Sequence, residues 1–273
     1  QAIARKRGDL ALERDMALAA ATAHARSGEY TSVLRHAGQA LELAIATDDA
    51  EAHLRGLLVA APAYAAVGRE AEAQRALQEI DRHLASRTDR QLEVERQRVK
   101  ALVSYQAGDH EGRIEAARRA FELAKEYGLP HQAAVAAHLL GEFYLRGDED
   151  KRAFAALRSS YDIASEHGFT RVYWLNVCLL GFLDVLSFGA EDGLKRMRDA
   201  LRYAGDHGYV WDSINGQYLL AIAEQRVGSP EAAGLALRRV RELAERHGHR
   251  RMGTDAVQAE RALERGQPIA LPS

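Results

Sequence analysis

The sequence is poor in the residues that usually announce chemistry. It holds a single cysteine, Cys178, so it cannot close a disulfide within the chain, and no Cys-x-x-Cys pair offers zinc a site. A lone thiol fits a reducing compartment, and a cytoplasmic location is expected. Only five prolines and 7% aromatic residues stand among abundant Ala, Leu, Glu and Arg, so helix is favoured throughout. Thirty-seven basic residues balance 39 acidic ones for a net charge of −2. That balance argues against nucleic acid or an acidic membrane as a partner held by bulk charge. No apolar run is read as reaching the roughly 18–20 residues of a bilayer span, and no signal peptide is visible. Catalytic signatures are missing too: no GxSxG, HExxH, EF-hand loop or GxGxxG occurs. The nearest approach, Gly189 to Lys195 (GAEDGLK), has a phosphate loop's glycines and lysine at the wrong spacing. No enzyme, cofactor or metal is expected.

What the sequence does contain is a period. Gly128, Gly168, Gly208 and Gly248 recur every 40 residues and close the near-copies KEYG, SEHG, GDHG and ERHG. Gly8, Asp48 and Thr88 share their frame. A second set lies half a period away at Gly28, Gly68, Gly108 and Gly228, with Gly147 and Gly189 each one residue out of register. Two turns per 40 residues, with apolar periodicity between them, mean two helices per unit. Glycine past a helix end accepts the left-handed conformation that closes the last turn. The His and Arg before it suit the negative end of the helix dipole. Asp109, Asp148 and Ser229 are placed to cap second helices, with Pro230 at a first helical position.

Small residues at Ala61, Ala101, Gly141, Gly181 and Ala221 let the helices of a unit approach closely, and bulky Tyr64 and Tyr144 fill the space beside them. Of the 11 histidines, His167, His207 and His247 repeat with the period. Equivalent positions in stacked units lie roughly 8–10 Å apart. Zinc needs its nitrogens at about 2.0–2.1 Å, so these three cannot share an ion. Cys178, within WLNVCLLGF, reads as a buried, inert thiol. The basic stretch from Arg238 to Arg251 reads as solvated helix faces.

Leu140-Gly141, Tyr144, Ala153 and Leu157 stand at the spacing LGxxYxxxGxYxxAxxxFxxAL. Gly28, Tyr30, Ala40 and Leu41 match its second half, as do Ala120-Phe121 and Leu180-Gly181 with Ala200-Leu201. On these residues the chain resembles a tetratricopeptide-repeat array with units of about 40 residues rather than the usual 34 or so. The resemblance implies an all-α, right-handed superhelical solenoid of antiparallel helix pairs; HEAT-like repeats are the alternative. The expected organisation is the tail of a preceding helix over 1–8, six helix pairs over 9–248, a capping helix over 249–266 and a tail over 267–273. Because AIARKRG aligns with ELAERHG, the sequence is expected to be cut from a longer array.

The same resemblance places ligand contacts at positions 2, 5, 9 and 12 of each first helix, on the concave side. Transferred to this sequence, the candidate groove residues are Arg55, Arg98, Tyr105, His138, Glu142, Phe182, Asn215, Tyr218 and Gln225, with Arg171 and Trp211 one turn earlier on the stripe. Aromatic and Arg side chains dominate binding hot spots. The Lys and Asn of the chaperone-tail clamp are replaced by Leu18 and Thr22, and then by Leu58 and Pro62, so that specificity is not expected. The function implied is a non-enzymatic protein- or peptide-binding domain. It is similar to the interaction or regulatory arms of large bacterial signalling proteins such as the maltose-responsive transcriptional activators. A metabolite sensor with a closed groove and a self-associating scaffold are the alternatives.

Overall fold

The computed structural model of the chain describes residues 9–85 and 89–272. The expected helix tail over 1–8 and the turn at Thr88 lie outside the described residues, as does Ser273. Thirteen α-helices and no strand occur among the described residues. Six antiparallel pairs follow one another: α1 Leu10–Arg26 with α2 Tyr30–Ala46, α3 Ala50–Ala66 with α4 Glu70–Leu84, and α5 Arg90–Gln106 with α6 His110–Glu126. Then come α7 Pro130–Leu145 with α8 Asp150–His167, α9 Thr170–Phe188 with α10 Glu191–Asp206, and α11 Val210–Arg226 with α12 Pro230–His247. A last helix, α13 Arg250–Glu264, packs on α12 and is followed by an irregular tail. The chain forms two compact units, one through Ala136 and one from Ala137.

The starts of the helices are written in aspartates. Asp9, Asp49, Asp89 and Asp109 each accept a hydrogen bond from the backbone N–H three residues on, at 2.9–3.0 Å. This satisfies donors that the first turn leaves without partners. Three of the four recur at 40-residue spacing, a signal that the glycine frame had overshadowed. Ser229 and Pro230 open α12, though the serine side chain makes no capping bond.

The ends of the helices are written in left-handed residues. Gly28, Gly68, Gly108, Gly128, Gly168, Gly208, Gly228 and Gly248 all have φ between 65° and 83°. Asp48 and Asp148 take the same conformation, at φ 50° and 57°, which short polar side chains tolerate better than most. Asp148 therefore corrects the sequence reading. It does not cap α8, which Glu149 precedes; it fills the turn position that Gly28, Gly68, Gly108 and Gly228 hold elsewhere. The turn beside Gly147 is in register after all. Gly189 does stay one residue late, because α9 runs to 19 residues.

Close packing explains the small residues. Ala21, Ala61, Ala101 and Ala221 occupy one position of the repeat and are fully buried. Gly141 and Gly181 stand at the same place in α7 and α9. A Cβ on Gly141 would lie 2.5 Å from Leu157 Cγ, and one on Gly181 would lie 2.7 Å from the backbone oxygen of Gly193. No side chain fits there without moving a helix.

Helix α9 overturns one reading made from the sequence. At 19 residues it is long and apolar enough to cross a membrane by length and composition. Over half of it is buried inside the fold, and three of its polar residues are tied to neighbours. Asn176, fully buried, donates to Ser160 Oγ at 2.7 Å and to the Val172 carbonyl at 2.9 Å. Asp184 pairs with Arg196, and Arg171 with Asp212. An apolar helix with two charged groups tied into its neighbours reads as the centre of the C-terminal unit's core.

Candidate functional site

The C-terminal unit carries a cleft built by α7, α9, α10 and the start of α11. Its floor is apolar: Cys178, Leu179, Leu201, Gly216 and Leu219. Trp174, Tyr203, Tyr209 and Trp211 supply aromatic walls, and His138, Glu142, Arg171, Asp212 and Asn215 supply the polar end. The volume of the cleft is about 120 Å³. Helix α10 can lie this close to α11 because Gly216 leaves room for Leu201, whose Cδ2 would be 2.7 Å from an added Cβ.

The aromatic walls are fixed by their own stacking. Trp174 and Tyr203 lie parallel with centroids 5.5 Å apart, and the Tyr203 ring meets those of His207 at 4.0 Å and Tyr209 at 6.1 Å. Such offset contacts each contribute about 0.5–1.5 kcal/mol beyond burial. Arg171 lies over Tyr209, its Cζ 4.7 Å from the ring centroid. Its guanidinium donates twice to Asp212, at 2.9 and 3.1 Å. Burial works to lower the Arg171 pKa, but the hydrogen bonds and charge of Asp212 outweigh it and the net shift is upward. The Asp212 side chain is only 8% exposed, so the pair is a fixed dipole in a largely desolvated place.

The polar end is oriented from behind. Asn176 spends both amide hydrogens on Ser160 and Val172, so its oxygen accepts from His138 Nδ1, 3.0 Å away. That fixes the proton on Nδ1 and leaves Nε2 turned toward Glu142, 3.9 Å distant. Asn215 contributes a different feature. Its Oδ1 is buried with no hydrogen-bond partner among the described residues. A buried acceptor left without a donor is rare and costly; the residue that carries it belongs to the lining of the cleft. Cys178 is inert. Burial, then the negative charges of Asp212 and Glu142, push its thiol up to about 12, so no thiolate forms near neutral pH.

A second feature of this unit is its own tail. Gln225, in the last turn of α11, receives the Ile269 N–H on Oε1 at 2.8 Å and donates from Nε2 to the Gln267 carbonyl at 2.8 Å. Arg146 donates to the Pro272 carbonyl at 2.8 Å. Ile269 itself is buried in a cluster with Ile214, Tyr218, Met252 and Ala256, with Ile222 beside it. A non-helical segment is thus gripped by its main chain while one apolar side chain is swallowed.

The sequence-derived candidates divide accordingly. His138, Glu142, Arg171, Trp211 and Asn215 meet around the cleft. Gln225 sits on the tail. Phe182 and Tyr218 are corrections: at 1% and 3% exposure they are core, not groove. Phe182 lies deep in α9, and Tyr218 is covered by α13 and Ile269. Arg55, Arg98 and Tyr105 belong to the N-terminal unit. Arg55 is exposed and paired with Glu51 at 2.6 Å, Arg98 is paired with Glu95, and Tyr105 lies under Arg113 at 5.5 Å. Trp174, Tyr203, Tyr209 and Asp212 were missed because none stands at the four stripe positions. The run Tyr203, His207, Tyr209, Trp211 around one turn is the signal that announces them.

No protein-family profile matches the sequence, and no curated protein matches it either. Solved structures do match. A Rap protein complexed with competence and sporulation factor superposes with TM-score 0.67 at 12% identity, over 93% of this chain and 76% of that one. Aspartyl phosphate phosphatase F from Bacillus subtilis gives 0.63 at 10% identity over 96% and 73%. A signal transduction ATPase with numerous domains and a tetratricopeptide repeat sensor, from Pyrococcus horikoshii, gives 0.62 at 12% identity over 89% of this chain and 39% of that one. The chain therefore has the fold of a tetratricopeptide-repeat array, a helical solenoid of long units. At these identities the likeness concerns the fold.

Proposed function

We propose that the chain is a non-enzymatic interaction domain whose C-terminal unit binds an extended peptide segment of a protein partner. The observation that carries this reading is the seat of the tail. Gln225 reads the backbone of residues 267–269 with one donor and one acceptor, which is indifferent to sequence, while the pocket around Ile269 selects an apolar side chain. Main-chain hydrogen bonds for affinity and side-chain pockets for specificity are the division of labour in peptide recognition.

The cleft adds an anchor point some ten residues earlier on α11, about 15 Å along the helix. Its volume of about 120 Å³ falls below the roughly 300–1,000 Å³ of small-molecule pockets. It is close to the roughly 150 Å³ that holds one benzene ring. One apolar or aromatic side chain fits; a whole metabolite does not. The partner's side chain meets Trp174 and Trp211. The sensor alternative is disfavoured on this size argument.

The setting we propose is the regulatory arm of a larger bacterial signalling protein in the cytosol. One neighbour in fold is a signal transduction ATPase with a tetratricopeptide repeat sensor, which supports a signalling role, and another is a Rap protein complexed with competence and sporulation factor, which supports a bound partner. The phosphatase activity named for a third neighbour belongs to that protein. The test is a fluorescence titration of the chain ending at Gly266 with a synthetic Gln267–Pro272 peptide, read from Trp174 and Trp211. Saturable one-to-one binding is expected. No binding by a chain that keeps its helix content sinks the reading.

A further inference from the structure

Far from the aromatic cleft, the second helix pair brings two histidines and a glutamate together. His53 projects from the first turn of α3; Glu79 and His83 stand four residues apart on α4 and share one face of it. One ligand atom from each lies within 4.8 Å of the other two. His53 Nε2 is 2.9 Å from Glu79 Oε1, and the two imidazole centroids are 5.6 Å apart. All three residues are half-buried, with the His53 side chain 15% exposed.

The repeat offers its own control. A polar contact at this helix crossing is ordinary: in the first pair Gln39 donates to Glu13 at 2.7 Å, at the positions of Glu79 and His53. What is particular to the second pair is the third member. The position of His83 is held by Leu43, Leu123, Ile163, Tyr203 and Leu243 in the other five pairs. Five units fill the spot with an apolar or aromatic side chain, and one aims a second imidazole at the first. The dipole at the end of α4 favours a cation there, yet it does not account for an imidazole turned toward His53 and Glu79 rather than a lysine in solvent.

We propose that His53, Glu79 and His83 form a zinc site that clamps α3 to α4. Two imidazoles and one carboxylate match the donor set zinc takes with three protein ligands, leaving a fourth position to water. Tetrahedral zinc with ligands at about 2.0–2.2 Å places them roughly 3.3–3.6 Å apart. The His53–Glu79 separation of 2.9 Å lies just below that value and the others are at most 4.8 Å, so small rotations of three partly buried side chains reach it. The ion replaces the His53–Glu79 hydrogen bond and holds two helices otherwise joined by apolar packing. Histidines at equivalent positions of successive units stand too far apart to share an ion. This trio is drawn from within one unit.

Calorimetric titration of the full, tag-free chain with zinc chloride tests the site. The expected result is one zinc per chain, a melting midpoint that rises with zinc, and tetrahedral d–d absorption when cobalt(II) is used instead. His83→Leu, which installs the residue of the sister pairs, and Glu79→Gln are each expected to weaken binding by roughly 100-fold. Both should keep the wild-type helix content. Absence of one-to-one zinc uptake by the wild-type chain overturns the proposal. So does zinc binding undiminished in both variants, which would place the ion on other histidines.

Discussion

The two units present the same face of the same repeat and do opposite things with it. In the N-terminal unit the surface along α1 and α3 is a broad, polar depression of about 610 Å³. Most of its charges are already paired: Arg14 bonds Asp15 and Asp49 at 2.8 Å, and Arg55 bonds Glu51. In the C-terminal unit the corresponding helices bury a narrow aromatic cleft, one desolvated ion pair and an acceptor without a donor. Charges already paired yield little to a newcomer, and an exposed pair such as Arg55–Glu51 contributes little of its own. Flat aromatic area rewards a newcomer directly. Repeat geometry fixes where a groove runs; the residue types lining it decide which part of it binds.

The largest expected difference between the units is in packing. Phe182→Ala or Tyr218→Ala should cost about 3–5 kcal/mol by leaving a cavity in the C-terminal core. Arg55→Ala on the exposed N-terminal surface should stay within about 0.5 kcal/mol. Thermal unfolding compares them, and equal effects would erase the contrast. Next in size is Gly141→Leu, which drives a side chain into Leu157 and should destabilise by about 1–3 kcal/mol through overpacking. An unchanged melting midpoint would contradict the helix-pair frame.

Arg171→Ala should follow at about 2 kcal/mol, because it strands the buried Asp212 carboxylate. High pH should also separate the units. Burial raises the Cys178 thiol from near 9 to about 12, and the Tyr218 phenol from 10 to about 12. Each folded group holds its proton more tightly than the unfolded one. The stability they confer is whole below about pH 9 and fades up to about pH 12. Tyr30, Tyr64, Tyr105 and Tyr127 of the N-terminal unit all keep partial exposure. Alkaline titration followed by hydrogen exchange should therefore loosen the C-terminal unit first. Simultaneous loosening would show that these two groups do not set the alkaline limit.

Much of the architecture was legible because its signals are local. A left-handed glycine every 40 residues and a small residue at each helix crossing depend on the backbone, and the backbone repeats. Even the apparent slip at Gly147 resolved locally, since Asp148 can take the glycine's conformation. The site was legible only in part, because exposure is not local. Phe182 and Tyr218 occupy the stripe positions that the repeat assigns to a groove, but whether those positions open to solvent depends on what packs over them. For Tyr218 that is α13 and a tail whose sequence, QPIALP, reads merely as an irregular end. Tyr203 reaches the cleft from a second helix, and Tyr209 from the turn before a first one, places that a rule about first helices does not search.

The smallest and most telling effect concerns Gln225. Hydrogen exchange at the Ile269 amide, measured in the intact chain and in Gln225→Ala, tests the main-chain grip on which the peptide-binding account stands. Two lost hydrogen bonds at about 0.5–1.5 kcal/mol each should speed exchange of that amide by about tenfold or more, while the global melting midpoint stays in place. An Ile269 amide equally protected in both chains would mean that the tail is held by apolar burial alone, and the main-chain reading of peptides by this unit would fall.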